Sequence, residues 1–236
     1  MEVWQAVAKL KGTLVVSCQA SEGEPLCSPE HIKAMALSVI AGGAHGLRLE
    51  GKENIRAVRA VTKLPIIGLS KWKNLSEEER LSSVYITTTF DEAKELAEAG
   101  ADIIAVDATL RPRPNGETLA GLVQKIHAVL KLPVMADISQ LEEAKNAASL
   151  GVDLISTTLF GYTKETASTL EPGPALHLLA EIRNHIDVPA VLEGRVWQPH
   201  EVASAFQLGA YAVVVGSAIT RPQLITARFA RAIPRS

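Results

Sequence analysis

Cysteine is almost absent from this chain of 236 residues, since only Cys18 and Cys27 occur. An oxidised secreted scaffold carries more cysteines, so we expect a reducing cytoplasm and interpret both as buried, unreactive thiols. The first residues hold too short an apolar stretch for a secretory signal. No other run approaches the roughly 18 apolar residues that a membrane span requires. We therefore expect a cytoplasmic protein without a membrane partner.

An excess of charge of one sign is also lacking, because 24 Lys and Arg residues stand against 26 Asp and Glu residues. The net charge of −2 gives no long-range field that attracts nucleic acid. The six histidines lie in predicted helices or, for His45, just before a predicted strand, so no set of metal ligands meets at one place. No glycine-rich dinucleotide fingerprint follows the first predicted strand. We expect no nucleic-acid partner, no metal and no cofactor.

The chain is rich in small apolar residues, with 47% hydrophobic residues but only 4% aromatic ones. Ala, Val, Ile and Leu must therefore fill the core, which is typical of a parallel sheet covered by helices. Short β-branched runs recur, and each is followed by enough chain for a helix. The eight predicted strands begin at Thr13, Gly46, Pro65, Asp102, Pro133, Asp153, Pro189 and Tyr211. This alternation of strand and helix indicates βα units.

A two-step repeat underlies the alternation. Glycines that end a helix precede every second strand, and prolines open the others: Gly43, Gly100, Gly151 and Gly209, against Pro65, Pro133 and Pro189. The repeat gives four βαβα modules, and the length is near the roughly 250 residues usual for a (β/α)₈ barrel. An open doubly wound sheet is the alternative. We predict an α/β fold in which residues 1–236 form a single (β/α)₈ TIM barrel catalytic domain.

The connections that leave the predicted strands are longer than those that lead into them, and polar residues stand at the strand exits. The extra chain marks the C-terminal end of the barrel, where such barrels hold their active sites. The residues at these exits are Gln19, Arg48, Lys71, Asp107, Asp137, Thr157, Thr158, Glu193, Arg195, Gly216 and Ser217. Each one alone is equally well explained as a solvated charge, but the ring as a whole indicates a site.

Two kinds of chemistry are candidates at this ring. Lys71 follows an apolar strand, so partial desolvation would lower its pKa and suit it to acid–base catalysis. Glu193 and Asp137 either pair with Lys71 or Arg48 or act as bases, and a structural ion pair is the alternative. After the seventh and eighth strands, Gly194-Arg195 and Gly216-Ser217 fit the phosphate cradle common in barrels. Arg221 is either a second phosphate clamp or an exposed helix-start residue.

Eight stretches spread over nearly the whole chain resemble the N-acetylmannosamine-6-phosphate 2-epimerase family in family order. They are VSCQASEGEPL (16–26), GGAHGLRLEG (42–51), LPIIGLSK (64–71), ADIIAVDATLRPRPNGET (101–118), MADIS (135–139), STTLFGYT (156–163), LEGRVWQP (192–199) and GAYAVVVGSAITRPQ (209–223). The resemblance implies an isomerase that interconverts N-acetylmannosamine 6-phosphate and N-acetylglucosamine 6-phosphate without a cofactor, a step of sialic acid breakdown. Similar enzymes form dimers, so it also implies a homodimer.

The resemblance assigns a role to each position of the ring. Lys71 is the acid/base group, and Glu193 assists in ring opening or as a second proton carrier. Arg48 would stabilise the enolate oxygen that forms when the hydrogen beside the open-chain aldehyde is removed. Gln19, Asp137 and Thr157 would hold the sugar hydroxyls or the N-acetyl group. The phosphate would lie against Gly194, Arg195, Gly216, Ser217 and Arg221.

Three features depart from the family pattern. The segment after Lys71 is longer and differently charged than the usual Arg-Asp-Tyr turn, residues 86–89 read ITTT instead of ITPT, and Ser217 replaces a second glycine. Two other functions stay open: an aldolase that forms a Schiff base through Lys71, and a non-catalytic sugar-phosphate-binding barrel. The apolar segment 224–233 is either an interface helix or the eighth barrel helix.

Overall fold

Eight parallel strands close into a barrel in the order β1 to β8, and β8 pairs with β1. The structure, a computed structural model, describes residues 4–73, 75–167 and 173–234. The strands are β1 Thr13–Cys18, β2 Gly46–Glu50, β3 Ile66–Leu69, β4 Ile103–Asp107, β5 Val134–Asp137, β6 Leu154–Ser156, β7 Ala190–Glu193 and β8 Ala212–Val215. The predicted (β/α)₈ barrel is confirmed.

At least one helix follows each strand, and most of these helices cover the outside of the barrel, whereas one short helix precedes β1 and another contributes to the cavity at the C-terminal end. The helices are α1 Gln5–Ala8, α2 Pro29–Ala41, α3 Lys52–Arg59, α4 Glu77–Ser82, α5 Phe90–Ala99, α6 Leu119–Lys125, α7 Leu141–Ser149, α8 Leu176–His185, α9 Pro199–Gln207, α10 Ser217–Thr220 and α11 Pro222–Ala230. Their ends follow the sequence signals. Ser28 caps α2 by accepting a hydrogen bond from the His31 N–H at 3.3 Å, and Gly100 ends α5 with a left-handed φ of 106°.

Alternation along the strands decides which side chains enter the barrel. Residues of one parity pack against each other inside it, namely Val15, Ile67, Leu69, Ile103, Ala105, Met135, Leu154, Val191, Ala212 and Val214. Residues of the other parity, such as Leu47, Leu49 and Ile104, pack between the strands and the helices. The parity of Leu69, Met135 and Val191 continues to the C-terminal ends of their strands. It therefore directs residues 71, 137 and 193 toward the barrel axis.

One prediction on the cysteines is wrong. Both thiols are free, and Cys18 is buried on β1, but Cys27 lies exposed in the loop before α2. Cys18 follows the outward-facing parity of Val16 and packs under the helices, whereas the loop that carries Cys27 has no such cover. Within the described ranges, none of the helices has both the length and the apolar character needed to cross a membrane.

We predict that Gly68→Ala destabilises the barrel by about 1–3 kcal/mol, because a new methyl group overpacks this site. A Cβ at Gly68 would lie 2.7 Å from the Cβ of Ala101 and 3.0 Å from Cδ1 of Ile55. The control is Gly42→Ala, whose new Cβ would lie no closer than 3.4 Å to the Val39 carbonyl oxygen. Urea denaturation of both variants measures the free energy of unfolding. Equal values would contradict the packing described for β3.

Candidate active site

A cavity of about 820 Å³ opens at the C-terminal end of the barrel. The sequence-predicted site residues that line it are Gln19, Arg48, Lys71, Glu193, Gly194, Arg195, Gly216, Ser217 and Arg221. Asp137 and Thr157 are buried behind these side chains instead. The long connections after the strands supply the rest of the wall, through Glu77, Arg80, Leu81, Tyr85, Tyr162 and Trp197. Most of the ring predicted from the strand exits therefore surrounds one space, and Asp107 is a further member that is buried outside the cavity lining.

Arg48 lies at the floor of the cavity with a side chain that is only 1% exposed. Its guanidinium donates two hydrogen bonds to the Asp137 carboxylate, at 3.0 Å and 2.5 Å. A further ion pair joins Arg48 Nη1 to Glu193 Oε2 at 3.0 Å. Burial alone would lower the pKa of Arg48, but the carboxylates of Asp137 and Glu193 outweigh it and raise that pKa above its usual value. Arg48 is therefore a fixed positive charge.

Asp137 and Thr157 hold other site residues in place. Asp137 is fully buried and accepts, besides the bonds from Arg48, a hydrogen bond of 2.8 Å from the Thr158 hydroxyl. The Thr157 hydroxyl donates to the Glu193 carbonyl at 2.9 Å and accepts from the Glu193 N–H at 3.1 Å. Thr157 therefore fixes the backbone that carries Glu193. The neighbouring residue Thr158 lines the cavity in its place.

Lys71 lines the cavity and is held by polar neighbours. Its ammonium donates a hydrogen bond of 2.7 Å to Gln19 Oε1, and the Gln19 amide in turn donates to the Ser17 hydroxyl at 2.8 Å. The carboxylate of Glu50 lies 3.8 Å from Lys71 Nζ. Although 35% of the Lys71 side chain is exposed to the cavity, desolvation lowers the pKa of Lys71, and the Glu50 carboxylate opposes this effect.

Glu193 has the opposite electrostatic shift. Burial raises the pKa of Glu193 to about 7, although the Arg48 guanidinium acts in the lowering direction. Near neutral pH this carboxyl group therefore exists in both protonation states. A lysine whose pKa is lowered and a glutamate whose pKa is raised are groups of the kind that general acid–base chemistry uses.

The position of Lys71 depends on the chain that follows it. Lys71 forms an isolated antiparallel bridge with Ile86, and the Trp72 N–H donates to the Tyr85 carbonyl at 3.0 Å. Thr87 holds the turn with a positive φ of 40°, its N–H donates to the Ser70 carbonyl at 2.9 Å, and its hydroxyl accepts from the Ser70 N–H at 3.0 Å. Such a φ is costly for a β-branched residue. This turn returns the long connection to the barrel beside Lys71.

The opposite wall is formed by the ends of β7 and β8. Gly216 precedes the short helix α10, and a Cβ at this position would lie 3.3 Å from Cβ of Ser17, so the chain passes close to β1. Gly194 and Arg195 both have positive φ values, 104° and 55°. The Arg195 guanidinium donates to the carbonyls of Gly173 and Phe160 at 2.9 Å and 2.7 Å. Two guanidinium nitrogens of Arg195 are therefore bonded to the backbone at residues 160 and 173.

Arg221 is the second cation of this wall. Its Nη2 contacts the carboxylate of Glu24, so the charge is partly neutralised. Its Nε is buried and has no hydrogen-bond partner within the described parts of the chain. A buried donor without an acceptor is costly, so the site favours a ligand that supplies one. An anion that bridges Arg221 and the start of α10 would do so.

Sequence reasoning missed two groups of the cavity lining, Thr158 and Tyr85, and the Glu50 carboxylate that lies beside Lys71. Glu50 is charged and ends β2, but its neighbour Arg48 was taken as the exit residue of that strand. Thr158 was noted but not assigned a binding role. Tyr85 gave no sequence signal, because it reaches the cavity only through the path of the long connection. Across the described ranges, no group of three or more His, Cys, Asp and Glu side chains could hold a metal ion.

Fold and site together define the class of protein. Lys71 and Glu193 lie with a buried arginine in one cavity, and two further arginines with small residues follow the last two strands of a (β/α)₈ barrel. This is the arrangement of a barrel enzyme that moves protons on a phosphorylated small molecule.

Comparison with known proteins identifies the family. Residues 32–235 match the family model NanE, described as "Putative N-acetylmannosamine-6-phosphate epimerase". A relative named "Putative N-acetylmannosamine-6-phosphate 2-epimerase", from Clostridioides difficile (strain 630), is 47% identical over 227 residues. The match covers 95% of this chain and 97% of the relative. Another from Caldanaerobacter subterraneus is 46% identical over 224 residues, 94% of this chain and 92% of its own. The chain belongs to this family, as the sequence resemblance predicted.

A solved structure agrees with this result. The N-acetylmannosamine-6-phosphate 2-epimerase from Clostridium perfringens superimposes with a TM-score of 0.90 at 43% identity. The alignment covers 96% of each chain. Both the fold and the family predicted from the sequence are thereby confirmed.

We predict that Glu50→Gln lowers the pKa of Lys71 further. Desolvation already lowers it, and the variant removes the carboxylate that most strongly raises it. NMR titration of the protein labelled with ¹³C at the lysine ε-carbon reads the Lys71 resonance, which Lys71→Met assigns by its disappearance. The control is Glu95→Gln, which removes an exposed carboxylate paired with Lys52. If the pKa of Lys71 is the same in Glu50→Gln and Glu95→Gln, the Glu50 carboxylate does not influence Lys71.

Proposed function

We propose that this protein interconverts N-acetylmannosamine 6-phosphate and N-acetylglucosamine 6-phosphate by removing and returning the hydrogen at C2. Membership of the epimerase family supports the reaction. The observation that carries the mechanism is that Lys71 and Glu193 line one cavity with pKa values shifted toward each other. The enzyme is then an isomerase that needs only groups of its own chain.

Inversion at C2 requires proton transfer on both faces of the carbon. β3 and β7 lie four strands apart in the ring of eight, so Lys71 and Glu193 approach the cavity from opposite sides of the barrel. In the open-chain sugar, Lys71 Nζ takes the C2 hydrogen as a proton. The electron pair of the C–H bond moves into a C1–C2 double bond, and the negative charge goes to O1. Protonated Glu193 then returns a proton to the other face of C2, and the reverse reaction exchanges these roles.

The fixed charge of Arg48 stabilises the enolate. Its guanidinium already lies between Asp137 and Glu193, so no reorganisation is needed when negative charge develops on O1. Asp137 acts through Arg48, because its oxygens accept from Arg48 and Thr158. Gln19 accepts a hydrogen bond from Lys71 and donates one to Ser17. It holds a sugar hydroxyl or the N-acetyl group. Thr157 serves the substrate indirectly through the backbone of Glu193.

The phosphate group lies against the wall formed by Gly194, Arg195, Gly216, Ser217 and Arg221. Gly194 and Gly216 let the phosphate approach the backbone, and the unpartnered Nε of Arg221 donates to it. Phosphate contacts far from C2 supply the binding energy that places C2 between Lys71 and Glu193.

Assembly and location belong to the same proposal. We infer a homodimer formed through the C-terminal segment, since α11 has no buried side chain and Phe229 and Ile233 are 74% and 68% exposed. An exposed apolar face of this kind favours a partner surface. A cytoplasmic location and one catalytic domain over residues 1–236 stay predictions from the sequence.

We predict that the purified protein incorporates solvent deuterium at C2 of N-acetylmannosamine 6-phosphate, because C2 loses and regains a proton. Lys71→Met should lower the exchange rate about 100-fold or more, and Glu193→Gln should lower the rate of epimerisation by a similar factor, the usual contribution of a general acid or base. Proton NMR in D₂O measures both rates. The control variant is Lys73→Met, which changes an exposed lysine two residues away.

Borohydride distinguishes the aldolase alternative. A Schiff-base enzyme would be inactivated by borohydride in the presence of the sugar phosphate, with a covalent adduct on Lys71 detectable by mass spectrometry. An acid/base lysine gives no adduct. Absence of deuterium exchange in the unmodified protein would reject the proposed function, and absence of an adduct as well would leave only the non-catalytic alternative.

We predict that Arg195→Met raises KM for the phosphorylated sugar about tenfold or more, because it removes a charged donor from the phosphate wall. Turnover at saturating substrate should change less. Steady-state kinetics separate the two constants, and Arg56→Met is the control, since Arg56 is 59% exposed on α3. An unchanged KM in Arg195→Met would show that this side chain serves only the loop carbonyls.

A further inference from the structure

The connection between Lys71 and Ile86 forms part of the cavity wall. Residues 75–85, here called the flap, contain the short helix α4 and contribute Glu77, Arg80, Leu81 and Tyr85 to the cavity lining. The flap side chains are mostly exposed, and α4 has no buried residue. Hydrophobic packing therefore does little to hold α4 over the cavity, so other contacts must place it.

Arg111, in the loop after β4, makes these contacts. Its Nη1 donates to the carbonyl of Arg80 at 2.7 Å and, more weakly, to that of Leu81 at 3.4 Å. Its Nη2 pairs with the Asp107 carboxylate at 2.8 Å, and its Nε donates to the Thr109 hydroxyl at 2.9 Å. The Arg111 side chain is only 6% exposed. The whole guanidinium is thus used between the barrel and the flap.

Asp107 joins the Arg111 side chain to strand β4. It is fully buried at the end of β4, and its Oδ2 also accepts from the Tyr85 N–H at 3.3 Å. The Arg111 guanidinium lies 5.7 Å from the centre of the Tyr85 ring. The loop after β6 joins the same point, since the Lys164 N–H donates to the Leu81 carbonyl at 3.2 Å. Three loops of the barrel therefore meet at the C-terminal end of α4.

Burying this ion pair is energetically expensive. Two charges taken out of water lose several kcal/mol of hydration each, and a buried pair often adds no net stability. Strand β4 pairs with β3 and β5 through backbone hydrogen bonds, so the barrel forms there without the ion pair between Asp107 and Arg111. What the pair supplies is a rigid fork of donors aimed at the carbonyls of two consecutive flap residues.

We propose that Arg111 is a positioning residue for the flap: anchored on Asp107, it holds residues 80 and 81 against the cavity and so sets the affinity for substrate. The kinetic part of this inference rests on the proposed function. The structural part, that Arg111 holds α4 in place, does not. Arg111 itself is outside the set of side chains that line the cavity.

The test combines kinetics with limited proteolysis. Arg80 provides a trypsin cleavage site within the flap, so the rate of cleavage after Arg80, identified by mass spectrometry, reports how often the flap opens. We expect Arg111→Met to accelerate this cleavage about tenfold or more and to raise KM by a similar factor, with a smaller change in kcat. Saturating N-acetylglucosamine 6-phosphate should slow cleavage of the unmodified protein.

Arg111→Lys is the conservative variant, because it keeps a charge beside Asp107 but loses the fork, and it should give intermediate values of both quantities. It carries the test alone if Arg111→Met fails to fold. Arg56→Met, an exposed change on α3, is the control. Cleavage and KM equal to those of the unmodified protein would overturn the proposal, and so would a change in only one of them. A protein without epimerase activity would reject the proposed function, whereas cleavage would still test the contact to α4.

Discussion

The buried contact of Arg48 with two carboxylates is the interaction on which the site depends. Asp137 and Glu193 come from β5 and β7, and Arg48 comes from β2, so one guanidinium joins three separate strands. Removing a partner of such a group leaves an uncompensated buried charge, which costs about 3–5 kcal/mol. The same contact places a permanent positive charge beside an acid whose pKa is raised to about 7. The contact that joins these three strands therefore also sets the electrostatic environment of Glu193.

Much of the site could be predicted because a strand points every second side chain to the same face. Asp137 and Glu193 share the parity of the apolar residues inside the barrel, so their positions at the ends of β5 and β7 determine where they lie. Thr157 shows the limit of using position alone. Leu154 faces the interior, and the same parity gives Ser156 and Thr158, so Thr158 lines the cavity while Thr157 binds the backbone of Glu193. The parity of β6 therefore distinguishes Thr158, which lines the cavity, from Thr157, which does not.

The rest of the site arises from contacts between loops, which no local pattern encodes. Lys71 lies beyond the end of β3, and its place depends on a bridge to Ile86 and on a turn at Thr87 with positive φ. A threonine gives no sequence signal for such a turn, since glycine and asparagine are the residues that usually adopt it. Arg195 is a phosphate ligand in the sequence-based prediction, and the fold adds a second role, since two of its nitrogens donate to loop carbonyls. Pairings of this kind become visible only when distant loops are brought together.

The origin of the wall residues has a consequence for how such a barrel can diversify. In the proposed mechanism, the proton-transfer groups are Lys71, which follows β3, and Glu193, which ends β7. Leu81 and Tyr85 belong instead to a connection that is held by hydrogen bonds to Arg111 and Asp107. Insertion or deletion in the middle of that connection would reshape the space around the ligand while Glu193 stays on its strand. The two ends of the connection are constrained, because the bridge between Lys71 and Ile86 places the lysine. The choice of ligand can therefore diversify in evolution through the middle of one loop, as long as both ends of that loop are kept.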